Sequence, residues 1–295
     1  GSGQGLPSVA IHPNGHGVIT WMDMRAEGPD LYMQVMNRRG AALTSNLPVG
    51  TDSETELMWH DTAIDAHGQF VVVWHEERNG SYDIYAKCFA ANGLSRIEKF
   101  AVNDTSAAGD QMMPTVDMTS SGDFAVAWTS GLIRVQRFDT RAEPQGMPVT
   151  VNTGGAAFPV LPQIALQPDQ QFMVAWQSPI AGTGSPSGDF LGKKRMLSRE
   201  LTHSAVYAGL YDSLGTPITG SLLLTDPDAD PNRYSSCKVA AGQNGEYLVA
   251  FIDHEETDIR ATRFKADGTI LNERANITAE APMDSIYSMA LAAHP

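Results

Sequence analysis

Five segments of the 295-residue chain repeat one pattern, and this repetition limits the possible folds more than any other feature. The segments are GHGVITWMDMR (15–25), HGQFVVVWHEER (67–78), SGDFAVAWTSG (121–131), DQQFMVAWQSP (169–179) and NGEYLVAFIDH (244–254). Each is a turn, an apolar run ending in an aromatic residue, then polar residues. The aromatics are Trp21, Trp74, Trp128, Trp176 and Phe251, at successive spacings of 53, 54, 48 and 75 residues. A period near 50 therefore holds in four units, and the long last spacing marks an insertion of about 20 residues within IAGTGSPSGDFLGKKRMLSRELTH (180–203).

Within each unit, runs of Val, Ile, Phe, Tyr and Trp are bounded by Gly, Asn, Asp and Pro with no 3.6-residue period, which predicts strands. Strand A is PSVAI (7–11), with counterparts at 61–64, 114–118, 162–166 and 237–241. Strand B is the run that ends in the aromatic. Strand C, at 30–36, 83–89, 132–138, 205–211 and 258–264, alternates apolar and polar residues as a half-exposed strand does. Strand D is shorter and less regular, as in FAVN (100–103) and VTVN (149–152). Four antiparallel strands per unit, repeated around a ring, make an all-β propeller, because only flanking blades cover both apolar faces of each sheet.

The units fall at about 6–55, 56–107, 108–155, 156–230 and 231–280, within one propeller domain spanning 1–295. SIYSMALAAHP (285–295) reads as a further strand A, opening a partial unit at 281–295. Five blades are preferred and six are the alternative.

Composition narrows the function. A formal net charge of −14 opposes nucleic-acid binding, which depends on clustered Lys and Arg. The one basic cluster, Lys193, Lys194 and Arg195, lies in the insertion and is either a solvated loop or an anion-binding site. No apolar run is long enough for a membrane span. Cys88 and Cys237 are too few for a disulfide scaffold or a zinc site, and two buried free thiols are expected.

The pattern Pro-x-Val-Ala, turn Gly, apolar run to Trp, x-Asp/Glu-x-Arg, Asp-Ile-Tyr, Phe and Gly is best seen in Gly68 to Asn103. It resembles the propeller repeats of large bacterial cell-surface and secreted proteins over about residues 6–292. That resemblance implies an extracellular or envelope location and a non-catalytic binding or assembly module with a protein or glycan partner. The strand order is also similar to sialidase blades, but their Ser-x-Asp-x-Gly-x-Thr-Trp turn is absent.

Because the units repeat, each serves as a control for the others. Asp23-x-Arg25 and Glu76-x-Arg78 follow the aromatic in two units, with Asp30 and Asp83 opening strand C. They are either a ring of cation-binding carboxylates, with calcium as the candidate ion, or ion pairs bracing the B–C turn. No other cofactor is expected.

Aligning the A strands brings Pro7, His60, Pro114, Pro162 and Cys237 into one column and Ser8, Asp61, Thr115, Gln163 and Lys238 into the next. Two positions on, Asp117 stands where the other units have Ala10, Ala63, Ala165 and Ala240. His60, Asp61, Asp117, Gln163 and Lys238 are therefore expected to line the central channel. Lys193, Lys194 and Arg195 complete the binding candidates.

The non-catalytic module is the first reading, since no Gly-x-Ser-x-Gly elbow is present. The alternative is a carbohydrate-active enzyme, a glycoside hydrolase or lyase, with its site at the propeller axis. Its catalytic residues would be His60, Asp61 and Asp117, because glycoside hydrolysis uses two carboxyl groups about 5 to 10 Å apart.

Overall fold

The computed structural model describes residues 3–12, 14–23, 30–50, 57–152, 159–178, 205–226 and 233–278. The insertion 180–203, with Lys193, Lys194 and Arg195, and the partial unit 281–295 lie outside the described residues.

The first sheet holds β1 (Gln4–Ile11), β2 (Gly17–Asp23), β3 (Asp30–Met36) and β4 (Leu47–Pro48). The second holds β5 (Leu57–Ile64), β6 (Phe70–Arg78), β7 (Ser81–Phe89) and β8 (Ser95–Ala101). The third holds β9 (Met112–Met118), β10 (Phe124–Thr129), β11 (Ile133–Phe138) and β12 (Val149–Thr150). β13 (Val160–Leu166), β14 (Phe172–Ser178), β15 (Ala205–Tyr211) and β16 (Leu222–Leu223) form the fourth. β17 (Tyr234–Ala241), β18 (Tyr247–Asp253), β19 (Asp258–Phe264) and β20 (Ile270–Asn276) form the fifth.

In every sheet the strands lie side by side in chain order. Five four-stranded antiparallel meanders make the fold a five-bladed β-propeller. No α-helix occurs among the described residues. The chain divides into two compact units, 1–130 with 134–149 and 131–133 with 150–295.

In the first unit, the central strand β6 shows why one blade cannot stand alone. Phe70, Val72 and Trp74 join a core with Val18, Met22, Leu31 and Met33 of the first sheet. The intervening Val71 and Val73 join Phe124, Val126 and Trp128 of the third. A strand buried on both faces needs an unbroken apolar run, and FVVVW provides one with every residue at most 1% exposed. In the second unit, Tyr247, Val249 and Phe251 of β18 pack with Met173, Ala175, Val206 and Ala208 of the fourth sheet. Trp74, Trp128 and Phe251 thus turn toward the preceding blade. Within its own blade the repeated aromatic meets the paired residue on strand C, as in Trp74 with Tyr85 at 6.4 Å and Trp176 with Tyr207 at 5.8 Å between ring centroids.

Strand A is longer than its sequence pattern. β1, β9, β13 and β17 each begin two or three residues before the apolar stretch and cross a register shift. At the shift, Leu6, Met113, Leu161 and Ser236 adopt left-handed backbone with φ between 50° and 54°. Such a β-bulge re-aims the residues that follow it.

Strand D also differs from expectation, since β8 and β20 have seven residues whereas β4, β12 and β16 have two. The Asn of FAVN and VTVN takes up backbone donors at the edge: Ile84 N–H donates to Asn103 Oδ1 at 2.7 Å and Ile133 N–H to Asn152 Oδ1 at 2.6 Å. Cys88 and Cys237 are buried free thiols, and burial pushes both up to about 12.

Candidate functional site

The A strands form the edges of their sheets, and in the first unit β1, β5 and β9 pack beside one another. Backbone register confirms the aligned column: Ser8 pairs with Thr20, Asp61 with Val73 and Thr115 with Ala127, each one residue before the aromatic. Gln163 pairs with Ala175 and Lys238 with Ala250 at the same register in the second unit.

Asp61 ties three blades together. Its Oδ1 accepts from Ser8 Oγ and from Thr62 N–H, both at 2.9 Å. Its Oδ2 accepts from Thr115 Oγ1 at 2.9 Å and Val116 N–H at 3.1 Å. A half-buried carboxylate with four donors is held in one orientation. The two hydroxyl partners belong to its own column, although their residue types alone gave no reason to single them out.

Asp117 follows two residues after Thr115 on β9, so its side chain leaves the strand on the side of Thr115, about 7 Å further along. It is half-buried, and Met118 N–H donates to its Oδ1 at 2.9 Å, as Thr62 N–H does to Asp61. In the second unit, Lys238 Nζ donates to Gln163 Oε1 at 2.7 Å, joining β17 to β13.

His60 is placed differently. Adjacent strand residues point to opposite sides, and His60 is only 8% exposed, with neither ring nitrogen in a hydrogen bond of ordinary geometry. Desolvation holds its pKa below the usual histidine value, with the Asp61 charge and the nearby Thr20 backbone opposing. The structure brings Asp61 and Asp117 to neighbouring strands, with His60 buried and near enough for the Asp61 charge to act on it.

The B–C turns hold ion pairs. Glu76, fully buried, accepts from Trp74 Nε1 at 3.0 Å, Arg78 Nε at 3.2 Å and Lys99 Nζ at 2.6 Å. Asp83 accepts from Asn103 Nδ2 at 2.8 Å. Asp253 in the fifth blade is held by Arg233 at 2.9 Å. Arg78 braces its own B–C turn, whereas Lys99 on β8, Asn103 after it and Arg233 before β17 reach these carboxylates from other parts of the blade. Arg25 lies outside the described residues. Among the described residues, no group of three or more His, Cys, Asp or Glu is arranged to hold a metal ion.

These features define a five-bladed propeller with a carboxylate-bearing row on its edge strands. The chain matches solved structures of that class. An α-L-arabinanase from Penicillium chrysogenum, complexed with arabinobiose, superimposes with a TM-score of 0.61 at 14% identity, covering 98% of this chain and 84% of the other. An α-L-arabinofuranosidase from Fusarium graminearum, complexed with an iminosugar inhibitor, gives 0.53 at 13% identity, covering 86% and 76%. A GH43 endo-arabinanase from Bacillus licheniformis gives 0.49 at 14% identity, covering 90% and 96%. No protein-family model matches the chain, and no curated protein matches its sequence.

The first two matches correct the expectation of a non-catalytic binding or assembly module, since those two solved propellers are by name an α-L-arabinanase and an α-L-arabinofuranosidase. The repeat that suggested a passive scaffold specifies the blades alone, and function rests on particular sites carried by such a fold.

Proposed function

We propose that the protein is a glycoside hydrolase acting on arabinan or a related furanose-containing glycan, with Asp61 and Asp117 as its two carboxyl groups. The supporting observation is that Asp61 accepts from Thr115 on the neighbouring edge strand, where Asp117 stands two residues, about 7 Å, further along, in a fold shared with an α-L-arabinanase. Asp61, held by four donors, acts as the base that takes a proton from water or as the anion facing the sugar ring. Asp117 gives its proton to the departing glycosidic oxygen. Ser8 and Thr115 keep Asp61 in place. A polysaccharide substrate does not enter a cell intact, which fits an extracellular or envelope location.

Release of reducing sugar from arabinan tests this. The wild-type chain is expected to release sugar, and Asp61→Asn and Asp117→Asn are each expected to lower the rate by about 10²- to 10⁴-fold while remaining folded. A wild-type chain inert toward arabinan and other furanosyl glycans, or an Asp117→Asn variant with full activity, would overturn the assignment.

A further inference from the structure

The residue that follows the aromatic differs among the units: Met22, His75, Thr129, Gln177 and Ile252. In both polar cases lying within one compact unit, it caps the bulge on the next blade. Met113 N–H donates to His75 Nδ1 at 3.1 Å, and Met113 is the left-handed residue of β9. The Gln177 amide is satisfied with its oxygen toward β17, where it accepts from Ser236 N–H and, at 3.2 Å, from Cys237 N–H. Ser236 is the left-handed residue of β17. The comparison at the first blade runs the other way. Met22 cannot accept a hydrogen bond of this strength, and β5, although it too crosses a register shift, has no left-handed residue at the matching Trp59.

A bulge leaves a backbone N–H outside the ladder, and a buried N–H without an acceptor is costly. An acceptor from the preceding blade removes that cost and allows a left-handed conformation that non-glycine residues otherwise avoid. Two residues beyond each capped bulge stands the polar column. On β9 it is Thr115, which with Val116 N–H holds Asp61. On β17 it is Lys238, which holds Gln163. His75 is completely buried, and the Met113 donor fixes its tautomer with the proton on Nε2, the ring standing edge-on to Tyr82 at 5.2 Å.

We infer that His75 and Gln177 are positioning residues, which set the edge-strand polar row from the preceding blade by accepting the bulge N–H of Met113 and Ser236. The geometric claim stands by itself, and its effect on turnover rests on the glycosidase reading above. Gln177 indicates the conservative substitution, since an amide oxygen performs at β17 the task that imidazole performs at β9.

The experiment uses the whole chain with His75→Leu, His75→Gln, Gln177→Leu and Gln177→His. Amide hydrogen exchange at Met113, Thr115 and Val116 is expected to accelerate at least about tenfold in His75→Leu and to stay within about threefold of wild type in His75→Gln. Gln177→Leu is expected to do the same at Ser236 and Cys237, with Gln177→His restoring protection; this second site carries the test if His75→Leu does not fold. Arabinan turnover is expected to fall about a hundredfold in kcat for His75→Leu, with little change in KM, and to recover in His75→Gln. Exchange that is unchanged in both Leu variants would overturn the inference, as would equal acceleration in the Gln and Leu variants of His75. If exchange responds as expected and no variant or wild type cleaves arabinan, the positioning role stands and the glycosidase reading fails.

Discussion

Lowering the pH from 7 to 4 is expected to cost the folded chain on the order of 3 kcal/mol through His75 alone. Burial lowers the pKa of this imidazole to about 3, against an ordinary value of 6.5. The unfolded chain therefore binds a proton that the folded chain refuses. Because the folded pKa is depressed in a base, the stabilisation is complete above about 6.5 and is lost as pH falls from there toward 3. The same proton would occupy Nδ1, the atom that accepts from Met113 N–H, so protonation breaks the bulge cap as well as charging the core. His60, shifted in the same direction by desolvation, adds to the trend.

Urea unfolding at pH 7, 5.5 and 4 measures this. His75→Gln is expected to unfold with a smaller pH dependence than wild type by about 1 kcal/mol per pH unit between 6 and 4. Parallel curves for the two proteins would show that His75 does not carry the acid sensitivity.

Replacing Trp74 by alanine is expected to remove about 3–5 kcal/mol of stability. Trp74 is fully buried, faces the first sheet and donates its indole proton to the buried Glu76. Lys99 lies over the ring at 5.9 Å from its centroid while binding both Glu76 oxygens. Truncation therefore opens a cavity between two blades and also takes one donor from a carboxylate that has no access to water. Trp74→Phe separates these effects. Phenylalanine serves in the same column at Phe251, so the ring substitution keeps most of the packing and is expected to cost about 1–3 kcal/mol, mainly for the lost donor. Denaturant midpoints at constant slope give both values. A Trp74→Ala variant within about 1 kcal/mol of wild type would contradict the interlocked-blade core.

Much of this fold was legible from patterns of residue type. Apolar runs ending in an aromatic gave strand B, alternation gave strand C, and a period near 50 gave the blade. The bulge was not legible, because Leu6, Met113, Leu161 and Ser236 share no chemistry, and strand A was consequently read as starting only beyond it. What these positions share is a backbone angle, and in two of them an acceptor about 40 or 60 residues earlier in the chain, which no local pattern encodes.

The candidate site was legible to a similar depth. Aligning the units put Asp61 in the column of Ser8 and Thr115, and the structure makes those two its hydrogen-bond partners. Residues that share a column share a register but not a direction, however. His60 therefore looked like a companion of Asp61, although its side chain leaves the other side of β5 and is buried. The proposed activity was the least legible part: repetition reports what every blade needs, and Asp61 and Asp117, each standing in one blade, contribute almost nothing to that signal.

The most direct test of the account is a crystal structure of the Asp117→Asn variant soaked with an arabino-oligosaccharide. A sugar ring is expected on the edge strands β5 and β9, with a hydroxyl or glycosidic oxygen within about 3 Å of the Asp61 carboxylate and another beside residue 117. Oligosaccharide bound elsewhere on the blades, with Asp61 still occupied only by Ser8, Thr62, Thr115 and Val116, would contradict it.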